Sequence, residues 1–129
     1  MPWTPNIDTY ARDDEFLIKC ELAGLHPGNI ELTVEGRQVL IQGQRNDEDQ
    51  QQGSATEPGR QIHYGLFQAA VYVASHYDLG NATAQYQNGF LWIRVPRGGG
   101  QSGQLGIVLR QWGDAVQSSS AEPLRWRLG

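Results

Sequence analysis

The fold class this sequence predicts is an all-β sandwich, and three observations predict it. Short runs that alternate apolar and polar residues recur along the chain, each bounded by turn formers. No stretch of useful length carries apolar residues at helical spacing. Asn88-Gly89 sits between two such runs, and this pair tolerates the positive φ that a tight two-residue hairpin demands.

Taken in order, the strands are these. Asn6 to Tyr10 reads as a brief strand after the stiff start Pro2-Trp3-Thr4-Pro5. Glu15 to Leu22 sets Phe16, Ile18, Cys20 and Leu22 on one face, with Leu17 as an exception on the other. Asn29 to Glu35 alternates most cleanly: Ile30, Leu32 and Val34 against Glu31, Thr33 and Glu35. Gly36-Arg37 turns the chain, and Val39 to Gln44 returns with Val39 and Ile41 inward. Ile62 to Val73 is the fifth strand, with Gly65 as a bend and Phe67, Ala69, Val71 and Val73 on one face. Ala82 to Gln87 and Phe90 to Val95 form the hairpin about Asn88-Gly89, and Pro96, lacking an N–H, stops the ladder.

Two stretches fall outside this pattern. Arg45 to Gln61 has no large core-facing side chain, and loops of that length are usually functional or disordered. Arg97 to Gly106 is rich in Gly, Ser and Gln, and reads as a flexible linker to the apolar triplet Ile107-Val108-Leu109. A second alternating patch, Leu124-x-Trp126-x-Leu128, ends the chain.

Composition narrows the function classes. The net charge of −4 offers no basic stripe, so nucleic acid is not an expected partner. No apolar run is long enough for a membrane span, and no signal peptide is evident. The single Cys20 cannot form an internal disulfide, which fits a cytoplasmic location; on an apolar face it reads as a small buried hydrophobe. Asp13, Asp14 and Glu15 are consecutive, so they point to different faces and read as a solvated turn. His26, His63 and His76 are scattered, and Ser75-His76-x-Asp78 is too local for a triad. Gly98-x-Gly100-x-x-Gly103 matches a dinucleotide-binding pattern, but Pro96 precedes it and no amphipathic helix follows. No catalytic residue, cofactor or metal site is therefore expected.

The motifs along residues 3–97 together resemble the small heat-shock proteins, the alpha-crystallin domain family, of bacterial type. Trp3, Pro5, Asp8 and Tyr10 resemble the family's domain entry, and Tyr64-Gly65-Leu66-Phe67 its Y-G-x-F segment. Val39-x-Ile41-x-Gly43-x-Arg45 and Val95-Pro96-Arg97 are similar to further stretches. The signature A-x-x-x-x-G-x-L is matched by Ala84, Gly89 and Leu91. Two positions depart: Ala23 stands where the family has a loop proline, and Ala69 where an arginine is usual.

The resemblance implies an immunoglobulin-like sandwich over 1–97 and a flexible C-terminal extension over 98–129. It implies an ATP-independent holdase chaperone that binds partly unfolded client proteins. Ile107 and Leu109 resemble the family's I-x-I tail motif, which docks at the sandwich edge of a neighbouring subunit. By the same resemblance Ile30, Leu32 and Val34, with Ala84 and Tyr86, help line the docking groove. The loop 45–61 would carry a strand exchanged in a homodimer. The family's long N-terminal arm is nearly absent from this sequence, so a dimer or small oligomer is expected. Two alternatives stand beside the holdase: a CS-type co-chaperone adaptor, and an assembly module using Phe90 and Trp92 as a contact patch.

Overall fold

The computed structural model describes residues 1–47, 59–98, 107–109 and 124–127. Seven strands come first in the chain, and all but β1 bury apolar side chains: β1 (Ile7–Ala11), β2 (Glu15–Glu21), β3 (Ile30–Glu35), β4 (Gln38–Arg45), β5 (Gly65–Tyr72), β6 (Ala82–Gln87) and β7 (Phe90–Pro96). Two short strands from the C-terminal region follow, β8 (Ile107–Leu109) and β9 (Leu124–Arg127). One sheet has the order β1-β2-β7-β6-β8 and the other β5-β4-β3-β9.

Both tight hairpins close on two residues. Glu35 pairs with Gln38 around Gly36-Arg37, and Gln87 pairs with Phe90 around Asn88-Gly89. Asn88 (φ 55°) and Gly89 (φ 82°) both occupy the left-handed region, as the hairpin requires. Ile18, Leu91 and Ile93 from one sheet and Ile30, Leu32, Ile41 and Phe67 from the other fill the space between them. Leu17 is also buried.

One expectation needs correction and two gain detail. The fifth strand starts at Gly65 and not at Ile62, because Gly65 adopts φ 89° and leaves Ile62 exposed. Pro96 ends β7, as expected. It is the last paired residue, opposite Glu15, where a missing N–H costs little, and its carbonyl accepts from the Asp78 N–H at 2.7 Å. The extension beyond residue 97 also contributes two strands, which add to both sheets. The exchanged strand expected in 45–61 falls largely on residues 48–58, outside the described residues, as does Leu128.

Which edges lie on the same side follows from the chain path. Trp3 bridges to Phe67 on the outer edge of β5, and the chain enters β1 a few residues later. β5 and β1 therefore border one side of the sandwich. β3 and β6, at the other ends of their sheets' first seven strands, border the opposite side.

Candidate functional site

The candidate site is the pair of edges β3 and β6. A sheet edge presents unpaired N–H and C=O groups, which a further extended segment can satisfy. Here both edges are occupied. β8 runs parallel to β6, with Ile107 opposite Ala82, Val108 opposite Thr83 and Leu109 opposite Ala84. β9 runs antiparallel to β3, with Leu124 opposite Val34, Arg125 opposite Thr33, Trp126 opposite Leu32 and Arg127 opposite Glu31.

The residues expected to line the groove lie on these two strands, with side chains in the sandwich interior. Ile30 and Leu32 are 0% exposed, Val34 3%, Ala84 1% and Tyr86 8%. They form the wall from which the edges project and are closed to solvent in this arrangement. The Tyr86 hydroxyl donates to the Leu22 carbonyl at 2.6 Å, tying β6 to the end of β2, and burial pushes its phenol above the usual range. Of the signature residues, Ala84 fits between the sheets, Gly89 makes the turn and Leu91 is fully buried. A Cβ on Gly89 would lie 3.2 Å from the Ala23 Cα, so the turn also packs closely on the loop after β2. Thr33 is 1% exposed and its hydroxyl has no hydrogen-bond partner among the described residues.

Three arginine contacts were invisible in the sequence because guanidinium groups here seek backbone carbonyls, which every residue carries. Arg37 donates to the carbonyls of Val73 (3.0 Å), Ala74 (2.5 Å) and Tyr77 (2.7 Å), fixing the connection from β5 to β6. Arg45 donates to the His63 carbonyl and lies 4.3 Å above the Trp3 ring, which stacks on His63. With the Trp3 N–H bonded to the Leu66 carbonyl and the Gln68 N–H to the Trp3 carbonyl, this cluster seals the β5 edge. The Arg97 guanidinium donates to the Asp13 carbonyl at 3.4 Å and its backbone N–H to the Asp14 carbonyl, bracing the acidic turn.

The polar groups considered for catalysis have structural partners. Glu15 pairs with Arg12 and Arg94. Asp78 accepts from the Gly80 N–H and the Asn81 amide, capping a short 3-10 turn. His76 packs on Tyr77. Among the described residues no group of three or more His, Cys, Asp or Glu side chains could hold a metal ion. Cys20 is fully buried, and that burial, with Glu21 adding to it, pushes its thiol up to about 12. Phe90 and Trp92 lie on the outer face of β7, and the Lys19 ammonium sits 4.5 Å and 4.7 Å from their ring centres. No helix among the described residues is long and apolar enough to cross a membrane.

Comparison with known proteins agrees with this architecture. The family model described as Hsp20/alpha crystallin family matches residues 8–104. Small heat shock protein C2 of Rickettsia felis is 23% identical over 93 residues, covering 72% of this chain and 60% of that protein. A heat shock protein of Dictyostelium discoideum is 28% identical over 102 residues, covering 79% of this chain and 24% of that protein. The chain thus spans less than two thirds of the length of these curated relatives. Among solved structures, hspA from Xanthomonas axonopodis superposes with a TM-score of 0.64 at 26% identity, covering 75% of this chain and 96% of that one. A small heat-shock protein from Xylella fastidiosa gives a TM-score of 0.69 at 23% identity, covering 88% and 100%.

Proposed function

The chain belongs to the Hsp20/alpha crystallin family, and from that premise we propose that it is an ATP-independent holdase, which captures extended segments of partly unfolded proteins at the β3 and β6 edges. The observation that carries this reading is the parallel pairing of Ile107–Leu109 along β6. It supports an edge that takes up an added strand.

The energetics suit reversible capture. Burying an isoleucine and a leucine at such an edge contributes roughly 3–6 kcal/mol gross. Ordering the segment and losing its free motion offsets a comparable amount. Docking between separate molecules is then on the order of millimolar, and a tethered segment has an effective concentration of the same order. The edge is therefore open for a sizeable fraction of the time, and warming raises that fraction.

Self-association fits the same chemistry. β1 ends its sheet, and we assign its outer edge to a second copy of the chain, paired through the 45–61 segment in a homodimer. The tail motif gives a further contact when it docks on a neighbouring subunit's β6 instead of its own. A cytoplasmic location agrees with the single thiol, buried and unpaired.

The test is an aggregation assay. A heat-labile enzyme is warmed with and without the chain in the absence of nucleotide, and light scattering is followed. The reading predicts suppression that rises with the molar ratio of chain to client. Unchanged scattering at a several-fold excess would overturn it and shift weight to the co-chaperone adaptor.

A further inference from the structure

The tip of the β6–β7 hairpin sets an exposed side-chain amide beside the backbone N–H of a glycine. We propose that Asn88 is a site of spontaneous deamidation, and that the isoaspartate it yields releases the hairpin tip from the end of β2.

The reacting groups are unencumbered. Asn88 is exposed, and neither its side-chain amide nor the Gly89 N–H has a hydrogen-bond partner among the described residues. The adjacent Gln87 side chain is engaged elsewhere, accepting from the Gln85 amide at 2.9 Å. Gly89 has no side chain to shield its nitrogen. Asn81 differs, because its amide donates to the Asp78 carboxylate at 2.6 Å and Ala82 follows it.

The backbone provides the path. The φ values of 55° at Asn88 and 82° at Gly89 mark a type I′ turn. There ψ of the first central residue is about +30°, which turns the next nitrogen away from Cβ. The other favoured two-residue hairpin turn, type II′, keeps the first φ at about +60° and sets ψ to about −120°, with φ about −80° at the second residue. That rotation brings the Gly89 nitrogen round beside the Asn88 Cβ, within reach of Cγ. Only the peptide plane between Asn88 and Gly89 turns. Glycine accepts either sign of φ, and the pairing of Gln87 with Phe90 is kept. An L side chain is strained in this conformation, so Asn88 visits it transiently and ring closure traps it.

The chemistry needs only water. The Gly89 nitrogen attacks the Asn88 Cγ, the N–Cγ bond forms, the Cγ–Nδ2 bond breaks, and ammonia leaves with the Gly89 amide proton. Water then opens the cyclic imide. Opening at Cγ gives an aspartate. Opening at the main-chain carbonyl carbon gives isoaspartate, whose main chain runs through Cβ and Cγ and is longer by one atom. The tip has no room for that atom. The Gly89 carbonyl accepts from the Leu22 N–H at 2.8 Å, and a Cβ on Gly89 would already lie 3.2 Å from the Ala23 Cα. A lengthened turn displaces both contacts.

The test ages the full chain in neutral buffer well below its unfolding temperature and quantifies isoaspartate by peptide mapping. Asn6, Asn29, Asn46 and Asn81 are internal references, and a synthetic peptide of residues 84–93 is the unfolded reference. The proposal predicts conversion at Asn88 at least about 10-fold faster than at any other asparagine and within about 10-fold of the peptide, because the folded hairpin reaches the near-attack geometry. Hydrogen exchange at the Leu22 amide quickens at least about 10-fold in the converted chain. The variant Asn88→Gly, which keeps a two-residue turn, shows neither change on ageing. A smaller advantage over the other asparagines, a rate further below that of the peptide, or unchanged Leu22 exchange in the converted chain would overturn the proposal.

Discussion

On one side of the sandwich, β3 and β6 each carry a segment of the chain's own C-terminal region; on the other, Trp3 bridges β5 while β1 has no strand on its outer edge among the described residues. The two sides are built from similar strands, so the difference lies in how their edges are completed. Trp3 is held by two backbone hydrogen bonds, an indole bond to the Gly65 carbonyl, and stacking with Arg45, His63 and Phe67. That is a permanent seal made by side chains from several elements. β8 and β9 are short ladders of three and four residues at the ends of long connections. Short ladders of this kind exchange readily, and a binding surface has to be drawn from the less stable parts of a fold. The comparison separates a structural side from one that the proposed function makes exchangeable.

Breaking the framework common to both sides has the largest expected effect. Gly43 lies in β4 between Ile30 and Phe67. A Cβ there would collide with the Asn29 carbonyl oxygen and sit 2.5 Å from the Phe67 Cζ. The Gly43→Ala variant is expected to lose about 3 kcal/mol in denaturant unfolding, and to raise hydrogen exchange on both sides together. A loss confined to one side would mean that the sheets are not coupled through β4.

The alkaline limb sharpens the comparison on the β1 side. Cys20 is the register partner of Ile7 in β1 and Leu91 in β7. Its thiol is raised from an ordinary 9.0 to about 12 by burial, so the folded state holds a proton that the unfolded state releases first. The resulting stability is fully present below pH 9 and is lost between about 9 and 12, at about 1.4 kcal/mol per pH unit. Cys20→Ala should flatten that limb by about this slope in unfolding curves from pH 9 to 11. An unchanged slope would show that β1 admits water to the thiol.

The sandwich itself was legible because each strand buries one face, and Ile30, Leu32 and Val34 or Leu91, Ile93 and Val95 announce that face by their spacing. The turns were equally plain, since Asn88-Gly89 and Gly36 carry the backbone freedom their turns need. The site was legible only in part. The triplet Ile107-Val108-Leu109 stood out as apolar residues beyond a polar linker, but a ladder is made by backbone groups that all sequences share. The pairing of Leu124–Arg127 with β3 specifically, and its direction, could not be read from alternation alone. The Arg37 and Arg45 contacts were hidden for the same reason, because their acceptors are carbonyls.

The most direct test of the exchangeable side is hydrogen exchange, read residue by residue, in the intact chain and in a full-length variant with both tail ladders disabled (Val108→Pro/Leu109→Pro with Arg125→Pro/Trp126→Pro). The account predicts exchange at least about 10-fold faster at the β3 and β6 amides, with those of β2, β4 and β7 unchanged. Unchanged exchange in β3 and β6, or an equal rise in every strand, would contradict it.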